Sequence, residues 1–136
     1  MAKESGLGWT TCSVDNSAGT AKAIKNDVTG LQFATPRGVQ DVTGIDKSAY
    51  ERILLLADFS ITLNCVFNDA TDQMHDVFKT VPSTSVARTT TLVVSGNTLA
   101  NEVLYTDYPL NRADSGELTA AIPGVLSDGT VPTWSP

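Results

Sequence analysis

The only histidine of the chain, His75, stands among Asp69, Asp72 and Asp76, so acid–base or metal chemistry would have to be built here. A general base needs a carboxylate that turns the imidazole toward a substrate. His75 and Asp76 are adjacent in sequence, and adjacent residues of a helix do not share a face. That spacing describes a solvated helix surface. For calcium, Asp69-x-x-Asp72-x-x-x-Asp76 lacks the alternating ligands and the turning glycine of an EF-hand loop. For zinc, one histidine and two cysteines, Cys12 and Cys65, give no recognisable tetrahedral spacing. Cys65 falls on the apolar face of a strand pattern, which favours a buried free thiol over a disulfide and suits a reducing compartment. Neither a G-x-S-x-G nor a phosphate-binding glycine loop is present, and Gly6-Leu7-Gly8 lacks a third glycine. The residue types therefore speak against an enzyme and call for no metal and no cofactor.

The elements around these residues carry a stronger signal. Phe59, Ile61, Leu63, Cys65 and Phe67 alternate with Ser60, Thr62, Asn64 and Val66, a period of two that places five apolar side chains on one strand face. The period then changes. Met74, Val77, Phe78 and Val81 recur at helical spacing, Asp69 and Asp72 suit a first turn, Lys79 suits a last turn, and Pro82 stops the run. Strands are expected over Trp9–Val14, Lys22–Val28, Leu31–Thr35, Val86–Ser95, Leu99–Tyr105 and Glu117–Ile122, with Gly96-Asn97 as a hairpin turn. Ser48-x-x-Glu51 resembles a capping box, so 48–57 is read as a short helical turn entering a buried segment. Pro36–Lys47 shows no periodicity and is read as a long loop of the kind that contacts partners. The last fourteen residues, 123–136, hold three prolines and two glycines and are read as an irregular arm. The fold class that results is mainly β: one domain spanning 1–136, a sandwich or barrel of seven to eight strands with one flanking helix, an N-terminal arm over 1–8 and a C-terminal arm over 123–136.

Composition limits the partners. The 136 residues are 41% hydrophobic and carry a net charge of -6, with nine Lys and Arg scattered along the chain. No basic stripe is available to hold phosphate backbones. No apolar run approaches the roughly 20 residues of a membrane span, and the N-terminus has no apolar stretch of a signal peptide. Trp9 and Trp134, near the two ends, are each read as docking on the same chain or on a neighbour, with equal weight. A small ligand- or carbohydrate-binding sandwich, with Trp9, Trp134 and Tyr105 or Tyr108 as stacking platforms, is the reading from a different class.

Taken in order, VTGIDKSAYERILLLADFSITLNCVFNDA, a helix, a Val/Thr-rich hairpin, YTDYPLNRADSGELTAAIPG and a closing GTVPTW resemble the major tail tube proteins of long-tailed bacteriophages. The residues that carry the resemblance are Tyr50-Glu51, Ile53–Leu56, Asp58 and Phe67-Asn68, and it extends over nearly the whole chain. The resemblance implies a β-sandwich with a flanking helix that assembles as hexameric rings, which stack into a tube for genomic DNA. It implies that the loop over 36–47 and both termini bridge subunits, making Trp9, Arg37, Gln40, Asp41, Asp46, Lys47 and Trp134 candidate interface residues. Glu102, Asp107, Asp114 and Glu117 are candidates for the lumen. The implied partners are further copies of the chain, a tape measure protein and tail tip or terminator proteins, with DNA passing unbound and no membrane anchor. A terminator or completion protein, forming one ring only, is the alternative within the same resemblance.

Overall fold

The computed structural model describes residues 3–136; Met1 and Ala2, at the start of the expected N-terminal arm, lie outside the described residues. After a single 3-10 turn at Gly6–Gly8 the chain forms β1 (Trp9–Asp15), β2 (Ala21–Ala23), β3 (Val28–Ala34), β4 (Arg37–Asp41), β5 (Arg52–Ala57) and β6 (Ser60–Val66). One helix, α1 (Met74–Phe78), follows, and then β7 (Arg88–Val94), β8 (Asn97–Tyr105), β9 (Leu110–Arg112), β10 (Leu118–Leu126) and β11 (Trp134–Ser135). Nine strands form one antiparallel sheet in the order β2-β1-β7-β8-β10-β6-β3, with β9 on β10 and β11 on β8, while β4 and β5 pair only with each other. Although β1 is second in that order and β3 last, the rings of Trp9 and Phe33 lie 6.2 Å apart. The sheet is therefore curled on itself, and its concave face is closed by α1. Mainly β with one helix is the expected class, and the excess over seven to eight strands comes from short pieces of two or three residues.

The period-two segments are where the core forms. Ile61, Leu63 and Cys65 of β6 are buried, as are Cys12 and Val14 of β1, Leu92 of β7, Leu99 and Val103 of β8, and Ile122 of β10. Met74, Val77 and Phe78 bring the helix onto the same cluster. The expected helical stripe is thus present, but the helix is five residues long and neither Asp69 nor Asp72 belongs to it. Asp72 is in the left-handed region at φ 66° and pairs with Lys22 at 3.1 Å. The helix is too short for propensity to sustain it, so its ends are held from elsewhere. Asp27, buried 47 residues upstream, accepts the Met74 amide at 3.0 Å through Oδ2 and Asn68 Nδ2 at 2.8 Å through Oδ1. At the other end Arg88, 1% exposed, donates to the Val77 carbonyl at 2.7 Å, the Asp15 carbonyl at 3.0 Å and Thr80 Oγ1 at 2.9 Å.

Other expectations are corrected. The strand read over Lys22–Val28 is three residues of β2 followed by a turn, with Asp27 N–H donating to Ile24 O at 2.9 Å. The capping box at Ser48–Glu51 does not start a helix, because 52–57 is the strand β5. The arm over 123–136 is regular in part: β10 runs through Pro123 to Leu126, and β11 pairs Trp134 with Leu99. A proline inside a central strand is tolerated only where its missing N–H has no ladder partner. Pro123 O accepts from Thr106 N on the β8 side, so its nitrogen faces the same side, in the gap between the end of β8 at Tyr105 and the start of β9 at Leu110. Gly124, next along, is required by packing. A Cβ there would stand 2.5 Å from Val103 Cγ1, 3.0 Å from Tyr105 and 3.1 Å from Ile61. Gly124→Ala is expected to cost about 1–3 kcal/mol by overpacking, read as a lower urea midpoint at unchanged m-value. A midpoint that stays in place would show that the core yields at this point.

Candidate functional site

β3 and β6 are paired as far as Ala34 and Ser60. Beyond that point the two strands leave the sheet as Pro36–Asp58, and the segment read as a loop over 36–47 is the first strand and part of the tip of a β-hairpin completed by β5. Asp58 N–H donates to Pro36 O at 3.0 Å where the hairpin leaves the domain. In its ladder Val39 faces Leu54, Gln40 faces Ile53 and Asp41 faces Arg52. Directly opposed residues of an antiparallel pair share a face. One face thus carries Val39, Asp41, Arg52 and Leu54. The other carries Gln40 and Ile53, with Leu55 lying over Gly38.

Both faces are exposed. Leu54 is 58% exposed on one, Ile53 49% and Leu55 43% on the other, and Leu56 is 90% exposed. A two-stranded ribbon is marginal in water without a packed face, and a run of exposed aliphatic residues marks an interaction surface. This ribbon presents apolar side chains on two sides, and its own domain covers neither.

The tip is ordered by one threonine. Thr43 N–H and Oγ1 donate to Asp41 Oδ1 at 2.9 and 2.5 Å, and Thr43 Oγ1 accepts the Glu51 amide at 2.7 Å. These bonds hold the Asp41 carboxyl below the usual carboxylate range. Val42 N–H closes the last rung on Glu51 O, and the Arg52 guanidinium lies 4.6 Å over the Tyr50 ring. Asp46 and Lys47 are exposed in the tip, where Lys47 N–H donates to Gly44 O.

Of the residues singled out from sequence, Arg37, Gln40, Asp41, Asp46 and Lys47 are brought together on this hairpin. Trp9 and Trp134 are gathered near its base, around Phe33. Both tryptophans thus pack on their own chain, and Trp134 remains 46% exposed. Glu102, Asp107, Asp114 and Glu117 do not form one cluster. Glu102, half-buried on β8, is hydrogen-bonded by Thr89 Oγ1 of β7. Asp107 accepts the Tyr108 amide in the loop before β9, while Asp114 and Glu117 flank the β9–β10 turn.

The aliphatic residues Val39, Ile53, Leu54, Leu55 and Leu56 are the site residues that sequence reasoning missed. The signal was there, as a continuous Ile-Leu-Leu-Leu run, but such a run reads equally as a buried helix or strand.

The chemistry-bearing residues lie elsewhere and are occupied by packing. His75 is half-buried rather than on an open helix surface: its ring lies 4.8 Å from that of Phe67 at a tilt of 46°, and Nδ1 is 2.9 Å from the Tyr108 hydroxyl. Burial pushes that hydroxyl up to about 12. Tyr105 is buried against Thr90, so it offers no stacking platform to a sugar. Among the described residues no three His, Cys, Asp or Glu side chains gather into a metal-holding group.

Cys12 and Cys65 are both buried and free, and burial pushes their thiols up to about 11 and about 12. A pKa raised on folding means that the stabilising neutral form is fully favoured below the unfolded value near 9. It is lost as pH climbs from there through 11 to 12. Native protein is expected to react with a thiol reagent at pH 8 only as fast as it unfolds, and its melting temperature should fall above about pH 9. Rapid labelling of folded protein would contradict the burial.

No family model and no curated protein sequence matches the chain. Among solved structures, it is similar to a chain of the virion of the native gene transfer agent (GTA) particle. The two are 12% identical with a TM-score of 0.76, over 98% of this chain and 100% of that one. It is also similar to a chain in the tail of the empty GTA particle, determined with C6 symmetry. That match has 16% identity and a TM-score of 0.75 over 98% of each chain. At such identities the likeness is one of fold. Over 98% of its length, the chain has the mainly β fold of these chains of the GTA virion and tail.

Proposed function

We propose that this protein is a structural subunit of a virion tail that polymerises as stacked hexameric rings, forming the tube through which genomic DNA leaves. The observation that carries the reading is the hairpin of β4 and β5, apolar on both faces and covered on neither. A binding module needs a concave pocket with convergent polar groups; here the exposed aliphatic run lies on a ribbon that pairs with no other strand of the domain. A projecting patch that fits a different patch on the next copy is the heterologous contact from which rings close and filaments grow. The tail of the empty GTA particle, whose chain shares this fold, has C6 symmetry. In this reading Gln40, Asp41, Asp46 and Lys47 lie in the contact with the neighbour, and Arg37, at the root of the hairpin, borders it together with Trp9 and Trp134.

Charge is consistent with a conduit. At -6 per subunit, a ring of six carries -36, which disfavours retention of a polyanion. Glu102, Asp107, Asp114 and Glu117 are the proposed lumen residues, and the proposed partners are a tape measure protein and tail tip or terminator proteins. DNA is passed without specific binding, and no cofactor or catalytic step is involved.

Electron microscopy of purified protein tests this directly, with stacked sixfold rings as the expected image. A protein that stays monomeric even with tail initiator and tape measure partners present would overturn it. Single rings that never stack would instead assign it to the terminator role.

A further inference from the structure

The root of the hairpin is irregular in a specific way. Arg37 faces Ala57 and Val39 faces Leu54, so two residues of β5, Leu55 and Leu56, stand opposite the single residue Gly38 of β4. This is a β-bulge, which bends the bulged strand and increases its twist. At that bulge the Arg37 side chain folds across the ribbon. Its Nε and Nη2 both donate to the Leu55 carbonyl, at 3.1 and 2.8 Å. On the opposing strand, a Cβ on Gly38 would meet only the Leu55 side chain, at an ordinary contact distance of 3.4 Å.

We propose that Arg37 is a positioning residue for assembly: its guanidinium locks the bulge and so fixes the angle at which the apolar hairpin leaves the sheet. The inference rests on the polymerisation reading above and gives Arg37 a role within its own chain. A two-stranded ribbon has no third strand to hold its twist, and β4 and β5 pair with no strand but each other. Two charged N–H donors converging on one bulged carbonyl supply the missing restraint. A change of take-off angle displaces Leu54 and Ile53 more than it displaces the root, because they lie further out along the ribbon. An aliphatic contact then misses its pocket although every contacting side chain is intact.

Two variants test this. Arg37→Met keeps the length of the side chain and removes its donors. It is expected to melt as the wild type does, to exchange the hairpin amides at least about tenfold faster in the free subunit, and to form few or no tubes. The second variant, Arg37→Cys with Ala57→Cys, pins the root covalently without any guanidinium. Opposed residues lie within disulfide reach, and the native thiols are buried out of the way. When oxidised it should assemble, and when reduced it should fail.

The proposal is overturned if Arg37→Met loses assembly with unchanged hairpin exchange, or if the oxidised double variant stays unassembled. Either result would make Arg37 a direct contact with the neighbour. Normal tubes from Arg37→Met overturn it as well. Should wild-type protein itself never polymerise, the polymerisation reading falls, and the exchange measurement on the free subunit still decides whether Arg37 locks the hairpin.

Discussion

A subunit carrying Ile53→Gln together with Leu54→Gln is expected to melt where the wild type melts and to stay monomeric. The two side chains sit on opposite faces of the hairpin, about half exposed, and neither touches the core cluster. Fold stability therefore has little to lose. Assembly has much to lose, since burying one such side chain contributes about 1.5–3 kcal/mol. At ~1.4 kcal/mol per tenfold in affinity, loss of both raises the concentration needed for polymerisation by roughly a hundredfold or more. Sedimentation velocity across a concentration series, beside calorimetry, separates the two effects. A lowered melting temperature would show that the ribbon packs on its own domain, and tubes at the wild-type concentration would show that the contact lies elsewhere.

Arg88→Leu has the opposite signature: it strikes the fold and reaches assembly only by unfolding the subunit. Arg88 is buried without a carboxylate in bridging distance, and burial pushes its pKa down from the ordinary value. Its charge is compensated by two backbone carbonyls and the Thr80 hydroxyl. Removing the donor leaves those acceptors buried and unpaired and frees the end of α1, at a cost of about 3–5 kcal/mol. In a domain of this size that is a fall in melting temperature of roughly 6–20 °C. Arg88→Lys should fall between, because one ammonium cannot reach three acceptors in the fork geometry of a guanidinium. If Arg88→Leu shifts stability by less than about 1 kcal/mol, the hydrogen bonds around it are not what holds the helix to the sheet.

The parts of the fold visible in the sequence are those where one face is wet and the other dry. β6 was legible because Ile61, Leu63 and Cys65 are buried while Asn64 and Val66 are exposed. The β7–β8 hairpin was legible for the same reason, with Gly96-Asn97 marking its turn. β4 and β5 were not, because a ribbon that presents apolar residues on both faces has no alternation to show. Its interface residues were reached through Arg37, Gln40 and Asp41, whose polarity drew attention, while the aliphatic residues that give the ribbon its surface were assigned to a core. The second half of β10 was hidden by Pro123 and Gly124, two residues that ordinarily break a strand. Here one faces a gap in the ladder and the other is forced by Val103. His75 was placed in water because its contacts, Phe67 and Tyr108, come from strand ends that no local pattern connects to the helix.

Asp27 ties together the turn before β3, Asn68 beyond β6 and the first amide of α1. A helix of five residues capped from 47 positions away cannot nucleate by itself. Its first turn becomes stable only after the β3–β6 pairing has brought Asp27 to it. The element that looks most local in the sequence is thus among the last to form. A chain whose contacts are dominated by pairings such as β1 with β7 folds at the slow end, on a scale of roughly milliseconds to seconds. During that interval the hairpin, whose strands are separated by only ten residues, can zip early and wait. The subunit is then exposed to premature encounter before its core has closed, and the rate of folding, as much as the strength of the contact, sets how much of the chain reaches a tube.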